Sequence, residues 1–212
     1  NSSVGCKMIM ALTGFSLVGF LVAHLSGNLL MYKGPDAINA YAKMLRDYIG
    51  ILWFLRIGLI AFFFLHIYSA IRLTRLNRKQ KSYQYKIKKN KSTLASRTMM
   101  LSGLTVLSFV IYHLAHFTFR WTHPEFDKLA EDDVYSMVLV SFQSPLLTLF
   151  YMISIGFLMA HLVHGLQSFW RTLGLRSKQY NNLLDKLSLT LGVVLALSFI
   201  SIPISVYLGI IK

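Results

Sequence analysis

Five apolar runs, at about 8–32, 50–72, 98–120, 145–170 and 187–211, take up most of this 212-residue chain. Each is near the ~20 residues that cross the hydrocarbon of a bilayer. Inside lipid every backbone polar group must pair within its own segment, so each run is predicted to be a helix. The expected fold class is therefore all-α: a five-helix transmembrane bundle forming one domain over residues 1–212. The first run is long enough to stay in the bilayer and reads as a span, not a cleaved signal. Ser144-Pro145 predicts a helix start, with an N-cap followed by proline at the first helical position. Pro203 lies late in the fifth run and predicts a kink.

Composition agrees with a membrane bundle. The chain is 55% hydrophobic and 14% charged, against about a quarter charged in soluble domains. Its formal charge is +14, and the placement of that charge is informative. From Arg72 to Arg97 there are ten Lys or Arg and no acid, while seven of the eight acids lie in 33–50 and 118–144. A soluble basic protein would suggest nucleic acid. Here the basic stretch joins two apolar spans, so the positive-inside rule is the better account and nucleic acid is not expected as a partner. Lys7, the Arg72–Arg97 stretch and the Arg171–Lys186 segment, with Arg176 and Lys178, then belong in the cytoplasm. That places the N-terminus in the cytoplasm and the C-terminus outside. Two outer segments read as interfacial helices: one after Pro35-Asp36, with Ile38, Tyr41, Leu45 and Tyr48 at helical spacing, and one carrying Val134, Met137 and Val138. No internal repeat is evident. The single cysteine, Cys6, excludes an intramolecular disulfide and a four-cysteine iron–sulfur site within this chain.

Four of the runs carry a histidine near one end, and the end alternates: His24, His66, His113 and His161. Imidazole in lipid is costly and needs a reason, and histidine is a standard axial ligand of haem iron. At about 1.5 Å per residue, His24 and His113 each lie roughly 24 Å from the inner edge, and His66 and His161 roughly 9 and 15 Å. Spans one and three thus hold an outer pair, and spans two and four an inner pair. Each pair is suited to clamp one iron, giving two haems at two depths, about 10–15 Å apart along the membrane normal. Ligation by two histidines leaves no open position, which suits electron transfer. Small residues within a turn of three of the four (Gly27, Ser69 and Ala70, Gly165) would let a flat macrocycle approach, or simply ease helix contact. His116 and His164 follow His113 and His161 by three residues. A four-histidine metal site is excluded by their different depths. Hydrogen-bonded helix packing, a haem propionate and a quinone contact all stay open for both. His123 reads as a solvated loop residue. Arg56, near the outer end of the second span, is assigned to a haem propionate of the outer haem, or snorkels to the interface. Arg72 and Arg97 are candidates for the inner haem. A di-iron carboxylate bundle would need glutamates in the spans, and none is there.

These residues resemble a known family. Lys7 to Gly14 (K-M-I-M-A-L-T-G), His24-Leu-Ser-Gly-Asn28, Ser102-Gly103 ten residues before His113, and His161-Leu-Val-His-Gly-Leu-Gln-Ser-Phe169 are similar to the single-chain, five-helix, dihaem cytochrome b anchor of succinate dehydrogenase and fumarate reductase. The resemblance implies two b-type haems, with His24 and His113 as distal ligands and His66 and His161 as proximal ones. It implies a flavoprotein and an iron–sulfur protein docked on the cytoplasmic face, quinone as substrate, and a place in a bacterial cytoplasmic membrane. It also implies an acidic residue near the outer start of the second helix for proton exchange with quinone. Asp47, beside Arg46, is the nearest match, and would otherwise be a solvated residue ending an interfacial helix. Dicarboxylate chemistry then occurs in partner subunits. Two rivals differ in kind. The cytochrome b of quinol–cytochrome c reductase places two ligands on each of two helices, and a proton or metal transporter would be colourless.

Overall fold

The computed structural model describes residues 3–84 and 94–212, with side chains at 3–78 and 99–212. Residues 85–93 of the basic connection, and the Arg97 side chain, lie outside the described residues. The described residues form seven α-helices: α1 (Ser3–Asn28), α2 (Pro35–Asp47), α3 (Ile49–Gln84), α4 (Leu94–His113), α5 (Val134–Phe142), α6 (Pro145–Thr172) and α7 (Asn181–Tyr207). No strand occurs among them. Five stretches are long and apolar enough to cross a membrane: Ser3–Lys33, Ile49–Arg78, Met99–Thr118, Pro145–Thr172 and Asn181–Tyr207.

The helix ends follow local chemistry. Ser144 caps α6 by accepting from the Leu147 N–H, with Pro145 at the first helical position, as expected. Asp133 caps α5 by accepting from the Ser136 N–H at 3.1 Å. α3 continues past its last apolar turn into Arg72, Arg75 and Arg78 and on to Gln84. Lys and Arg end the hydrocarbon segment but are good helix formers, so the helix outlasts the span. α7 starts at Asn181, six residues before the apolar run, and passes through the buried Pro203 to Tyr207. α4 is followed by a π-helical turn, Leu114–Thr118, directly after His113.

The two expected interfacial helices, α2 and α5, lie at the end of the bundle that carries most of the acids. Asn39 of α2 ties them together: its amide donates to Asp133 Oδ1 at 3.1 Å, and its oxygen accepts from the Tyr135 N–H at 3.0 Å. The Tyr135 hydroxyl donates to the Lys212 carbonyl at 2.8 Å, fastening the end of the chain. Arg46 donates to the Glu131 carbonyl. Arg120 has a φ of 59°, and its guanidinium gathers the carbonyls of Phe126, Leu129 and Ala130. Beneath this cap lies a buried cluster that includes Met31, Ile38, Tyr135, Phe142, Tyr151, Ile202 and Val206.

Within the bundle, α1 packs on α3, α6 and α7, and α6 packs on α4 and α7. The α6–α7 contact is close at Gly192, where a Cβ would collide with Val163. Small residues of this kind let membrane helices approach. α3 sits at the edge, with Phe54, Ile57 and Phe64 exposed, as a lipid-facing helix should be. Among the described residues, the α1 and α4 backbones, and likewise those of α3 and α6, come close at few or no positions. Side chains from each of these helix pairs nonetheless meet.

Candidate functional site

Four of the six histidines of the apolar spans meet as two separate pairs. His24 of α1 faces His113 of α4, with ring centroids 5.8 Å apart and an interplanar angle of 89°. His66 of α3 faces His161 of α6 at 6.4 Å and 71°. The pairs are the two expected from depth. Their separation can be read from two helices independently. His66 rests against Thr13 and Gly14 of α1, and His161 against Ser102 and Gly103 of α4. Gly14 precedes His24 by ten residues, and Gly103 precedes His113 by ten. Ten residues of α-helix rise about 15 Å. Two levels about that far apart are therefore built twice from the same spacing.

The levels differ in chemistry. At the level nearer the basic end, each Nδ1 has a hydroxyl partner. Thr13 Oγ1 lies 3.4 Å from His66 Nδ1, and Ser102 Oγ lies 3.3 Å from His161 Nδ1. At the level nearer the acidic end the surroundings are aromatic. Phe20 stacks on His24 at 5.3 Å, and Phe109, Phe117 and Tyr151 surround His113 at 5.5–6.1 Å. His113 Nδ1 is buried and has no hydrogen-bond partner among the described residues.

A haem fits this donor set. A histidine nitrogen binds a metal at about 2 Å, and the ring centre lies about 1 Å further back, so two imidazoles sharing one ion have centroids about 6 Å apart. Both separations match. None of the four histidines is fully buried by protein. At Gly14 a Cβ would stand 3.1 Å from His66 Cε1, and at Gly103 3.3 Å from His161 Cε1, so both imidazoles lie in cradles that a side chain would fill. No group of three or more His, Cys, Asp or Glu able to hold a metal ion occurs among the described residues. The two H-x-x-H segments therefore do not converge on one ion.

The other candidates fall elsewhere. His116 is fully buried and fully partnered: its Nδ1 meets the Tyr151 hydroxyl at 2.8 Å, its Nε2 meets Ser141 Oγ at 3.1 Å, and its ring stacks on Phe126. It is a packing histidine. His164 is half-buried, and its Nδ1 lacks a partner among the described residues. His123 is not merely solvated: its Nδ1 accepts from the Glu125 N–H and its ring stacks on Phe126. Arg56 is exposed, with its guanidinium 5.4 Å above the Trp53 ring. Asp47 is exposed at the last residue of α2. Arg72 is half-buried at the basic end of α3.

The small residues one turn from the histidines have different surroundings. Gly27 receives the Tyr41 ring, and nothing lies within 4 Å of a Cβ built at Gly165. The cradles come from neighbouring helices, at Gly14 and Gly103. Both segments are singled out in the sequence as carrying the family resemblance, but without this role. Thr13-Gly14-x9-His24 and Ser102-Gly103-x9-His113 are one pattern used twice, in a chain that shows no repeat at larger scale.

A family model described as the succinate dehydrogenase/fumarate reductase transmembrane subunit matches residues 74–202, more than half of the chain. The matched range includes His113 and His161 and leaves out His24 and His66. No curated protein and no solved structure matches this chain.

Proposed function

We propose that this chain, which belongs to the succinate dehydrogenase/fumarate reductase transmembrane subunit family, is a dihaem cytochrome b anchor for such an enzyme. In this reading it connects an iron–sulfur subunit on the cytoplasmic face with quinone in the membrane, and a flavoprotein subunit carries the dicarboxylate chemistry. The observation that supports it most is the two imidazole couples, at 5.8 and 6.4 Å, set ten residues apart on two different helices.

His24 and His113 would hold one haem b, and His66 and His161 the other. When bound, such a group would supply reversible one-electron chemistry. The residues do the remaining work. The four helices keep the two levels apart at a fixed distance. The aromatic shell of Phe20, Phe109 and Phe117 keeps water from the acidic-end pair. The Arg72, Arg75 and Arg78 turns of α3 offer positive charge to soluble partners at the basic end, which the positive-inside rule assigns to the cytoplasm. Asp47 as the proton-exchanging carboxylate for quinone, and Arg56 as a propionate partner, belong to the same proposal and rest on their position at the acidic end. A succinate:quinone and a quinol:fumarate enzyme both fit this arrangement.

The test is the set of four single His→Ala variants, purified from membranes and titrated through their haem absorbance. His24→Ala and His113→Ala should lose the same one-electron wave, and His66→Ala and His161→Ala the other. Loss of one wave by His24→Ala and His66→Ala together would overturn the pairing.

A further inference from the structure

We propose that Thr13 and Ser102 are positioning residues. Their hydroxyl oxygens hold Nδ1 of His66 and His161, turn each Nε2 toward the space between the rings, and lower the reduction potential of the haem held there. The inference rests on the dihaem reading above and adds to it a role for two residues outside the ligand set.

The direction of the hydrogen bonds follows from where the hydroxyl protons go. Thr13 Oγ1 donates to the Ile9 carbonyl at 2.7 Å, and Ser102 Oγ donates to the Met99 carbonyl at 3.0 Å. Each hydroxyl has one proton, and it is committed to its own helix. What each oxygen presents to the imidazole is therefore a lone pair, so Nδ1 must be the N–H donor. A neutral imidazole with its proton on Nδ1 has its lone pair on Nε2. One tautomer is thus selected at both histidines, and it is the one able to bind a metal through Nε2.

The two contacts are built alike. In each, a hydroxyl residue is followed by glycine, the hydroxyl meets Nδ1, and the glycine faces Cε1 at the separations a Cβ would make tight. The hydroxyl aims the ring and the glycine lets it lie close to the backbone. The module on α1 serves a histidine of α3, and the module on α4 serves a histidine of α6. Each of α1 and α4 therefore supplies a ligand at one level and an orienting hydroxyl at the other. Nothing comparable occurs at the acidic-end pair, where His113 Nδ1 is buried without a partner among the described residues. An imidazole whose N–H donates to oxygen is a stronger electron donor to its metal, which favours the oxidised iron. Orientation of this kind is among the main protein levers on haem potential.

The experiment is a redox titration of the purified holoprotein carrying Ser102→Ala, Ser102→Thr, Thr13→Val or Thr13→Ser. The wave belonging to the basic-end haem is identified as the one missing in His66→Ala. Ser102→Ala should shift that wave upward, by about tenfold in the ferrous-to-ferric ratio at fixed potential, which is 59 mV for a one-electron couple. Thr13→Val should shift it in the same direction and by a similar factor, since its hydroxyl lies as close to His66 Nδ1 as that of Ser102 does to His161 Nδ1. Ser102→Thr and Thr13→Ser keep the hydroxyl and should titrate as the parent does, and the other wave should stay in place in all four. If Ser102→Ala fails to take up the basic-end haem, Ser102→Thr must restore it. An unmoved wave in both Ser102→Ala and Thr13→Val, or an equal shift in the variants that keep the hydroxyl, would overturn the proposal. A parent protein without haem would overturn the dihaem reading itself.

Discussion

His116 offers the sharpest energetic test that does not depend on a cofactor. Its imidazole is fully enclosed between two hydroxyls and a stacked ring. Ser141 Oγ donates to the Met137 carbonyl at 2.6 Å, so it accepts from His116 Nε2–H, and Nδ1 then accepts from the Tyr151 hydroxyl. Tyr151→Phe leaves Nδ1 buried without a donor, at a cost of about 1–3 kcal/mol. His116→Leu leaves the Tyr151 hydroxyl without an acceptor, at a similar cost, and removes a stack worth about 0.5–1.5 kcal/mol. Replacing both removes the unmatched polar atoms together. The double variant should therefore be less destabilised than the sum of the singles by about 1–2 kcal/mol. The assay is unfolding of the purified protein in detergent, followed by circular dichroism, with the haem spectrum recorded on each variant. Strict additivity would refute the hydrogen bond as described. Loss of a haem in His116→Leu would refute the separation of His116 from the ligand set.

Three further outcomes are expected. Gly14→Ala and Gly103→Ala should disturb the basic-end haem, with overpacking costs of about 1–3 kcal/mol, whereas Gly19→Ala, with nothing within 4 Å of its Cβ, should leave both haems unchanged; absorbance and thermal unfolding check this. Partial burial pushes the Asp133 carboxyl up, but hydrogen bonds from the Ser136 side chain and N–H and the Asn39 amide outweigh it and hold it below the usual carboxylate range. Its stabilising effect is thus present above the unfolded pKa of about 4 and fades as pH falls through the lower folded value, so Asp133→Ala should cost about 1 kcal/mol at neutral pH and progressively less in acid. Asp47→Asn should slow quinone turnover in the assembled enzyme while both haem waves persist, and unchanged kinetics would return Asp47 to a solvated helix end.

The bundle and the imidazole pairs were legible in the sequence because both rest on distance along a helix, which the fixed rise supplies. His24 and His113 share a level, and so do His66 and His161, whatever the helix orientations. What faces what is a different kind of information. Gly27 and Gly165 are close to the histidines along the chain, yet one meets Tyr41 and the other meets nothing within 4 Å. Gly14 and Gly103 are distant along the chain and touch the imidazoles, because rotation about the helix axis and the choice of neighbour are set by packing. The acidic-end cap was legible as two helices, although α5, expected to lie at the interface, has no exposed residue. Its fastening by Asn39, Arg120 and Tyr135 was not, since each bond links positions that only tertiary structure brings together. Polar periodicity likewise placed the ends of the apolar runs, while α3 and α7 extend past those ends through residues that suit both water and helix.

The central claim is two haems held by four histidines of one chain. It is tested most directly by the haem-to-polypeptide ratio of the purified protein, measured with its reduced-minus-oxidised spectrum. The account predicts a b-type spectrum and two haems per chain. A ratio of one or less, or a colourless protein, would contradict it.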